Sequence, residues 1–486
     1  MKDISRNLTM LTDFYELTMA NGYFLTEMKD KTVYFDAFYR SNPDKGGYAI
    51  AAGLEQIVQY IKDLTFSDED IAYLRSKNIF SENFLDYLKD FRFSGDIWAI
   101  PEGTVVFPGE PLLTVKANAI EAQFIETYVL LMLNHQSLIA TKASRIVRAA
   151  SGRTVSEFGS RRAHGADAAI LGARAAYIGG VNGTACVIAD QVYGVPATGT
   201  MAHSWVQMFD TEYQAFETYC RIYPNSVTLL VDTYNVLKSG VPNAIKAFDT
   251  VLKPLGITKC AIRIDSGDIA YLSKKARKML DDAGWTECKI VASNSLDEHI
   301  ITSLISQGAQ VDVFGVGESL ITSRSAPVFG GVYKLVAVEN NSTVEPKIKL
   351  SENVAKVTTP HFKRVYRLYS NESGMAEADL ICVYDETVQD GADASIELFD
   401  PEAVWKRKTL TDFTARELQV PIFKNGELVY VLPRIEQIRE NCKYHLSSMW
   451  DSVLRFYEPH TYYVDLSQKL WEIKRDLINK NRNNTL

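Results

Sequence analysis

One histidine and two adjacent arginines in an apolar, glycine-rich stretch have side chains suited to binding anions. The stretch 155–209 opens with the strand-like letters VSEF, and Arg161 and a second arginine follow within a few residues. Adjacent arginines at a strand end can hold a carboxylate or phosphate through paired hydrogen bonds. His203 lies between the hydroxyls of Thr200 and Ser204, a setting that suits anion chemistry on an imidazole. The alternative interpretation is salt-bridged surface arginines and a hydrogen-bonded loop histidine.

Three aspartates, Asp232, Asp265 and Asp268, come just after apolar, strand-like runs. Carboxylates at such positions can bind Mg²⁺ through oxygen or grip the vicinal hydroxyls of a ribose. They can also cap the helices that follow, an alternative that stays open above all for Asp268. The spacing alone does not choose between these uses.

The pair Gly315 and Gly317 lets a ligand approach the backbone, and the next helix start offers N–H groups to a phosphate. The third glycine of a dinucleotide fingerprint is missing, and no G-x-x-x-x-G-K-[ST] loop occurs, so any use of ATP needs another kind of site. No G-x-S-x-G motif or cysteine motif marks a nucleophile. Arginines, glycines, hydroxyls, carboxylates and one histidine together suit a phosphosugar substrate.

The elements that position these residues alternate between strand and helix from residue 155 onward. After VSEF, the strand-like runs are 228–231, 260–264, 289–292 and 311–314. Near-continuous apolar strands between amphipathic helices predict a parallel sheet covered on both faces. Because every strand ends in polar or glycine residues, we favour a βα-barrel over an open doubly wound sheet. Ser295 and Glu298 form a candidate capping box for one of the helices.

Three domains are expected along the chain. Residues 1–150 are predicted to form an α+β N-terminal domain. Within it, the short strand-like runs and turns of segment 94–117 predict a small half-barrel. Residues 151–337 are predicted to form the irregular βα-barrel. The strand–helix pattern breaks after this point, so residues 338–486 are expected to form a small C-terminal α+β appendage.

Composition limits the class of protein. The chain has 486 residues and a net charge of −8 without blocks of like charge, which argues against nucleic acid as a partner. No signal peptide is expected at the N-terminus, and the longest apolar run is too short to span a membrane. The six cysteines are scattered without a CxxC pair, which argues against zinc and disulfides and favours a reducing cytoplasm.

At this point the motifs resemble the nicotinate phosphoribosyltransferase family, in order and over most of the chain. The matching segments are Thr12-Asp-Phe-Tyr15-Glu-Leu-Thr-Met, Glu157-Phe-Gly-Ser-Arg-Arg-Ala, Gly199-Thr-Met-Ala-His203-Ser, Asp232-Thr-Tyr, Arg263-Ile-Asp265-Ser-Gly-Asp, Ser293-Asn294, Gly315-Val-Gly317 and Gly330-Gly-Val-Tyr-Lys-Leu-Val. The resemblance implies a type II phosphoribosyltransferase fold, an irregular βα-barrel beside a split N-terminal domain. It also implies a homodimer with shared active sites.

The resemblance further implies a reaction. Nicotinate and 5-phosphoribosyl 1-pyrophosphate give nicotinate mononucleotide and pyrophosphate with coupled ATP hydrolysis, a ligase-type reaction that starts the salvage of nicotinate for NAD. ATP would phosphorylate His203. Mg²⁺ would be held mainly by the pyrophosphate, so no metal ligand is assigned to the chain.

Residue roles also follow from the resemblance. Arg263 and Asp265 join His203 as the catalytic set, and the nicotinate ring stacks on Phe158 and on Tyr15 from the partner subunit. The remaining expected substrate-binding residues are Arg161, Thr200, Ser204, Asp232, Asn294, Gly315, Gly317 and Glu318.

One position departs from the family pattern. Many relatives have threonine directly after the second glycine of Gly-x-Gly, whereas this chain has Glu318. A carboxylate there repels phosphate unless a cation lies between them. We therefore expect Glu318 to cap the next helix together with Ser319 rather than to contact phosphate directly.

The sequence favours four other classes of protein less. A sister enzyme acting on nicotinamide would not need a cationic site for a carboxylate, and quinolinate phosphoribosyltransferase has a shorter chain and needs more basic residues. A non-catalytic nucleotide sensor on the same fold would be signalled by loss of His203 or the aspartates, which are all present. A barrel aldolase would want a Schiff-base lysine at a strand end, and none is found.

Overall fold

A computed structural model describes residues 7–352 and 356–484, with side chains described up to residue 481. Its strands are β1 Thr32–Tyr39, β2 Ala49–Ile50, β3 Asp96–Ala99, β4 Val105–Val106, β5 Leu113–Asn118, β6 Thr154–Glu157, β7 Gly183–Thr184, β8 Thr228–Leu230, β9 Ala261–Ile264, β10 Lys289–Ser293, β11 Val313–Val316, β12 Gly331–Asn340, β13 Thr343–Pro346, β14 Lys363–Ser370, β15 Ala376–Val383, β16 Gly391–Phe399, β17 Arg407–Glu417, β18 Val420–Lys424, β19 Glu427–Leu428 and β20 Val464–Leu466.

The α-helices are α1 Phe14–Phe24, α2 Leu54–Asp63, α3 Asp68–Ser76, α4 Glu82–Lys89, α5 Ala119–Phe124, α6 Glu126–Ala149, α7 Ala166–Ile178, α8 Val187–Tyr193, α9 His203–Gln207, α10 Glu212–Ile222, α11 Val241–Ala247, α12 Ile269–Asp282, α13 Glu298–Ser306, α14 Glu318–Ile321, α15 Ile435–Ser447, α16 Asp451–Leu454 and α17 Gln468–Asn484. π-helical turns at Val236–Gly240 and Phe248–Leu252 adjoin α11 on either side.

Residues 139–327 form one compact unit built around a parallel sheet. Its six strands lie in the order β7-β6-β11-β10-β9-β8, and all pairs are parallel. The middle strands β9, β10 and β11 are mostly buried, as their apolar sequences predict. The α/β class is therefore confirmed. Within the described residues, however, no hydrogen-bonded pairing of β7 with β8 closes the row, so strand hydrogen bonds do not complete a barrel.

Helix starts in this unit show where the sequence signals were right and wrong. Asp268 is the N-cap of α12, and its carboxylate accepts a hydrogen bond from the Tyr271 N–H at 2.9 Å. The capping box expected from Ser295 and Glu298 is wrong. Asp297 caps α13 instead, accepting from the backbone N–H groups of the two residues that follow Glu298. The aspartate next to the helix takes the role because Ser295 lies outside it, in a left-handed backbone conformation (φ 50°).

The described residues within 1–138 and 328–486 form the other unit. Its seven-stranded antiparallel sheet has the order β13-β12-β1-β5-β3-β18-β19, and a second sheet has the order β16-β17-β14-β15-β20. β1 pairs with β12 and β3 pairs with β18, so one sheet joins segments about 290 to 330 residues apart. A buried apolar cluster likewise combines Tyr39 and Val106 with Val365 and Leu466.

These units cross the domain boundaries expected from the sequence. The C-terminal α+β region is present, but it shares a sheet and a buried cluster with the N-terminal segment. β12, β13, β18 and β19 are the strands from the later part of the chain that pair into the sheet with β1, β3 and β5. Such pairing depends on long-range contacts, which a change of pattern along the chain cannot reveal.

Candidate active site

Arg263 and Asp265 form an ion pair at the carboxyl end of β9. Arg263 is the third residue of the strand, and Asp265 follows its last residue. The Arg263 Nη2 group donates to Asp265 Oδ1 at 2.8 Å, and the arginine side chain is only 16 % exposed. The hydroxyl of Ser293, at the end of the neighbouring strand β10, donates to the same carboxylate oxygen. The structure thus brings together two of the predicted catalytic residues.

The guanidinium of Arg263 also reaches two predicted substrate-binding residues. Its Nη1 group donates to the Thr200 hydroxyl at 2.9 Å and approaches the Met201 carbonyl at 3.5 Å. Its Cζ atom lies 5.7 Å from the centroid of the Phe158 ring. A planar cation beside an aromatic ring can hold an aromatic carboxylate, because the ring stacks while the guanidinium pairs with the charge.

Gly315 makes room for this ring. The strand that the sequence placed at 311–314 is β11, Val313–Val316, so Gly315 lies inside the strand rather than after it. A Cβ atom at Gly315 would lie 2.5 Å from the Phe158 ring. Gly317 is the N-cap of α14, where a Cβ would lie 3.3 Å from the Phe158 carbonyl oxygen. Gly315 is therefore needed for packing of the aromatic ring.

His203 begins α9 and faces two carboxylates. Its Nδ1 atom lies 3.1 Å from the Thr233 hydroxyl, within hydrogen-bond distance. Its Nε2 atom lies 3.9 Å from Asp232 Oδ1 and 4.0 Å from Asp265 Oδ2, and the imidazole is 41 % exposed. A ring held on one nitrogen and open to solvent can accept a group from a bound molecule.

Asp232 is tied to the next strand end through one oxygen only. Oδ2 accepts from the Asp265 N–H at 3.0 Å and from the Ser266 hydroxyl at 2.6 Å. Oδ1 is buried and has no hydrogen-bond partner among residues 7–352 and 356–484. A buried carboxylate oxygen without a donor is costly unless a cation or ligand group meets it.

The electrostatics favour a charged Asp265. Burial raises its pKa, but the hydrogen bond from Ser293 and the charge of Arg263 outweigh it, and His203 adds to their effect, so the pKa lies below its ordinary value. Asp265 is therefore negatively charged at neutral pH, which suits stabilising positive charge in a ligand. No group of three or more His, Cys, Asp or Glu side chains in the described ranges is arranged to hold a metal ion.

Other predicted site residues are not joined to this cluster by hydrogen bonds in the described part of the chain. Arg161 is exposed in a 3₁₀ turn, Ser204 is exposed on the first turn of α9, and Asn294 has a left-handed backbone (φ 87°). Glu318 does not cap α14, since Gly317 holds that position. Its carboxylate pairs with Arg324 at 3.2 Å.

Tyr15 lies on α1, in the unit that contains the antiparallel sheets, and is 44 % exposed. Asp268 is the N-cap of helix α12.

Sequence reasoning missed three hydroxyl residues that hold the cluster together: Ser293, Thr233 and Ser266. Each lies within three residues of the carboxyl end of a strand and inside one of the matching motif segments, but was given no role of its own. That position was the available signal. A serine or threonine at a strand end is too common to be singled out without the contacts.

A parallel α/β unit that gathers an arginine, two aspartates and a histidine at the carboxyl ends of its strands is of the class that binds small anionic molecules at that edge. Family models for nicotinate phosphoribosyltransferase match the chain in three parts: the N-terminal domain at residues 10–134, the family model at 154–368 and the C-terminal domain at 362–474. The chain belongs to the nicotinate phosphoribosyltransferase family.

Individual relatives agree with this assignment. The nicotinate phosphoribosyltransferase of Bacillus subtilis is 43 % identical over 476 residues, covering 98 % of this chain and 96 % of the relative. A crystal structure of human nicotinic acid phosphoribosyltransferase superposes with a TM-score of 0.83 at 28 % identity, covering 96 % of this chain and 100 % of the human one. Nicotinate-nucleotide pyrophosphorylase from Pyrococcus furiosus shares the fold, with a TM-score of 0.70 at 23 % identity over 92 % of this chain and 98 % of its own. No helix in the described ranges is both long and apolar enough to cross a membrane.

Proposed function

We propose that this protein forms nicotinate mononucleotide and pyrophosphate from nicotinate and 5-phosphoribosyl 1-pyrophosphate, with coupled hydrolysis of ATP. The observation that carries the proposal is the Arg263 guanidinium beside the Phe158 ring, at the strand ends of a chain that belongs to this family. A pyridine ring with a carboxylate matches this pair of groups. The amide of nicotinamide carries no negative charge to pair with the guanidinium, so nicotinamide is the less favoured substrate.

The residues suit the chemistry. The pyridine nitrogen attacks C1 of the ribose with its own lone pair, so no strong general base is required. The C1–pyrophosphate bond breaks through a cationic ribosyl state, which the negative charges of Asp232 and Asp265 would stabilise. Mg²⁺ would neutralise the leaving pyrophosphate, whose oxygens would supply most of the ligands to the ion. The unpartnered Oδ1 of Asp232 fits as one further oxygen ligand.

Coupling to ATP would proceed through His203. An imidazole nitrogen attacks the γ-phosphorus, the N–P bond forms, the bond to the β-phosphate oxygen breaks, and ADP leaves. The 41 % exposure of the ring leaves it within reach of a nucleotide, and Thr233 fixes its orientation. Hydrolysis of the phosphohistidine would then drive the synthesis forward.

The assembly and cellular location belong to the same proposal. We infer a homodimer, because large apolar side chains are exposed on helix α1 and on the residues just before it, as at a protein–protein interface. These residues are Leu11, Phe14, Tyr15 and Met19, and each is at least 38 % exposed. The partner would supply Tyr15 to the nicotinate site. A reducing cytoplasm fits the cysteines, since all six are buried free thiols.

The deciding experiment compares nicotinate with nicotinamide, with and without ATP, for wild type and His203→Ala. His460→Ala, which alters an exposed histidine of the other unit, is the matched control. We expect mononucleotide from nicotinate, with ATP stimulation lost only in His203→Ala. If the protein forms product from nicotinamide and not from nicotinate, nicotinate is not its substrate. If ATP stimulates His203→Ala as strongly as wild type, the histidine has no part in the mechanism. No product from either substrate would favour the nucleotide sensor.

A further inference from the structure

Ser293 is a buried hydroxyl at the centre of the Arg263 cluster. It is the last residue of β10, is 3 % exposed, and lies opposite Gly315 in the register of the parallel sheet. The two residues after it, Asn294 and Ser295, both have left-handed backbones (φ 87° and 50°), which turn the chain away directly after the serine. The strand on one side and this turn on the other fix where the hydroxyl points.

The hydroxyl decides which edge of the Arg263 guanidinium is occupied. A guanidinium has five N–H donors in a flat fork. Nε donates to Ser293 Oγ at 2.8 Å, and Nη2 donates to Asp265 Oδ1 at 2.8 Å. The serine in turn donates to the same Asp265 oxygen, so the side edge of the fork, Nε with Nη2, is filled by a closed ring of hydrogen bonds.

The end edge of the fork, Nη1 with Nη2, remains for a ligand. Nη1 donates to Thr200 at 2.9 Å and has only the long 3.5 Å approach to the Met201 carbonyl for its other hydrogen. The second hydrogen of Nη2 has no partner in the described part of the chain. A bidentate carboxylate takes two parallel N–H groups from a fork, and at this edge it would pair with the unpartnered Nη2 hydrogen and replace the long Nη1 contact with Met201.

Without the serine hydroxyl, the pairing would change. Nε would lose its acceptor, and a buried N–H without a partner is costly. The guanidinium would then turn so that both Nε and Nη2 pair with Asp265 in the side-on bidentate geometry that arginine and carboxylate prefer. Asp265 would then take two N–H groups of the arginine instead of one, and the end edge would no longer be aimed beside Phe158.

We propose that Ser293 is a positioning residue that sets the selectivity of this site for a carboxylate over a carboxamide on the pyridine ring. It acts through Arg263 and does not itself contact the substrate. The inference rests on the proposed function, because it takes nicotinate as the ligand of Arg263.

The test is Ser293→Ala against Ser273→Ala. Ser273 is a fully buried serine of the same unit, on α12, whose hydroxyl accepts from the Gln310 N–H at 3.1 Å. Both variants therefore lose a buried hydrogen bond. We would measure kcat and the KM for nicotinate, the inhibition constant of nicotinamide against nicotinate, and thermal stability.

We expect Ser293→Ala to raise the nicotinate KM by about tenfold or more, since hydrogen bonds to charged groups are lost, while the nicotinamide inhibition constant changes less than about threefold. Ser273→Ala should leave both constants unchanged while it lowers the melting temperature to a similar extent. Equal changes for the two ligands in Ser293→Ala, or no change, would overturn the inference while the proposed function stands. A wild-type protein that makes no mononucleotide from nicotinate would refute the proposed function, and the inference with it.

Discussion

Arg263 and Arg367 are both held by an aspartate, yet one pair is open and the other is closed. Arg367 and Asp379 are completely buried, and the arginine donates to both carboxylate oxygens at 2.8 and 2.6 Å. Nη2 also donates to the Val105 carbonyl at 2.9 Å, and Nη1 lies 3.3 Å from His445 Nδ1. Arg263 gives its aspartate a single N–H, and the second hydrogen of its Nη2 group has no partner in the described part of the chain.

The difference separates a structural ion pair from a binding site. Taking a charge out of water costs several kcal/mol, and only excellent geometry and further hydrogen bonds offset the cost. The Arg367 cluster meets this demand in full. Burial, together with the negative charge of Asp379, even raises the pKa of Glu110 well above its ordinary value, which favours the uncharged acid in this cluster. An arginine that must bind a ligand cannot be satisfied in advance, and Arg263 therefore lies where solvent still reaches it.

The largest effect should come from breaking the closed pair. Arg367→Met leaves Asp379 as a buried, unpaired charge, and we expect the free energy of unfolding of the unit that contains the antiparallel sheets to fall by about 3–5 kcal/mol. Urea unfolding followed by circular dichroism measures this loss. The nicotinate KM of the protein that still folds should stay within about twofold of wild type.

The corresponding variant of the open pair is Arg263→Met. Here the nicotinate kcat/KM should fall by about a hundredfold or more, since a charge-assisted bidentate contact is lost, while the free energy of unfolding changes by about 1 kcal/mol at most. Equal losses of stability in the two variants would contradict the distinction between a closed and an open pair.

A smaller effect concerns pH. Burial, and then the charge of Arg367, lower the pKa of His445 from 6.5 to about 3. The folded state therefore keeps this histidine neutral, while the unfolded state gains a proton below pH 6.5. Stability should accordingly fall as the pH drops from about 6.5 toward 3, by about 2 kcal/mol at pH 5 from this residue alone. Unfolding free energies at pH 7 and pH 5 for wild type and His445→Gln provide the measurement.

His445→Gln should remove most of that slope, because glutamine does not titrate in this range. If the variant keeps the wild-type loss between pH 7 and pH 5, His445 does not bind the extra proton on unfolding, and the closed cluster is not the source of acid sensitivity.

The smallest effect distinguishes two aspartates three residues apart. Asp268→Ala removes a helix cap and should lower the free energy of unfolding by about 1 kcal/mol, with kcat and KM unchanged. Asp265→Ala is the comparison variant and should abolish most activity. A clear rise in the KM for 5-phosphoribosyl 1-pyrophosphate in Asp268→Ala would show that the cap also serves the site.

Much of the fold and part of the site could be predicted because their signals are local. The strands ending before Asp232 and Asp265 follow from apolar runs and turn residues, and each was placed within about two residues. The capping role of Ser295 was wrong, because the sequence does not show which of several polar residues adopts the backbone geometry of a cap. The hydroxyl of Ser293 was missed because its importance depends on Arg263, which lies on another strand.

The sequence by itself determined the family, the alternation of strands and helices, and the residue types at the strand ends. Motif order and hydrophobic periodicity depend only on the order of residues along the chain. Only the tertiary structure decided that β3 and β18 share a sheet, that the side edge of Arg263 is filled, and that Gly315 makes room for Phe158. The physical reason is that register, burial and hydrogen-bond partners arise from packing between segments distant in sequence. The same residue type, arginine beside aspartate, is structural in one place and open to a ligand in the other.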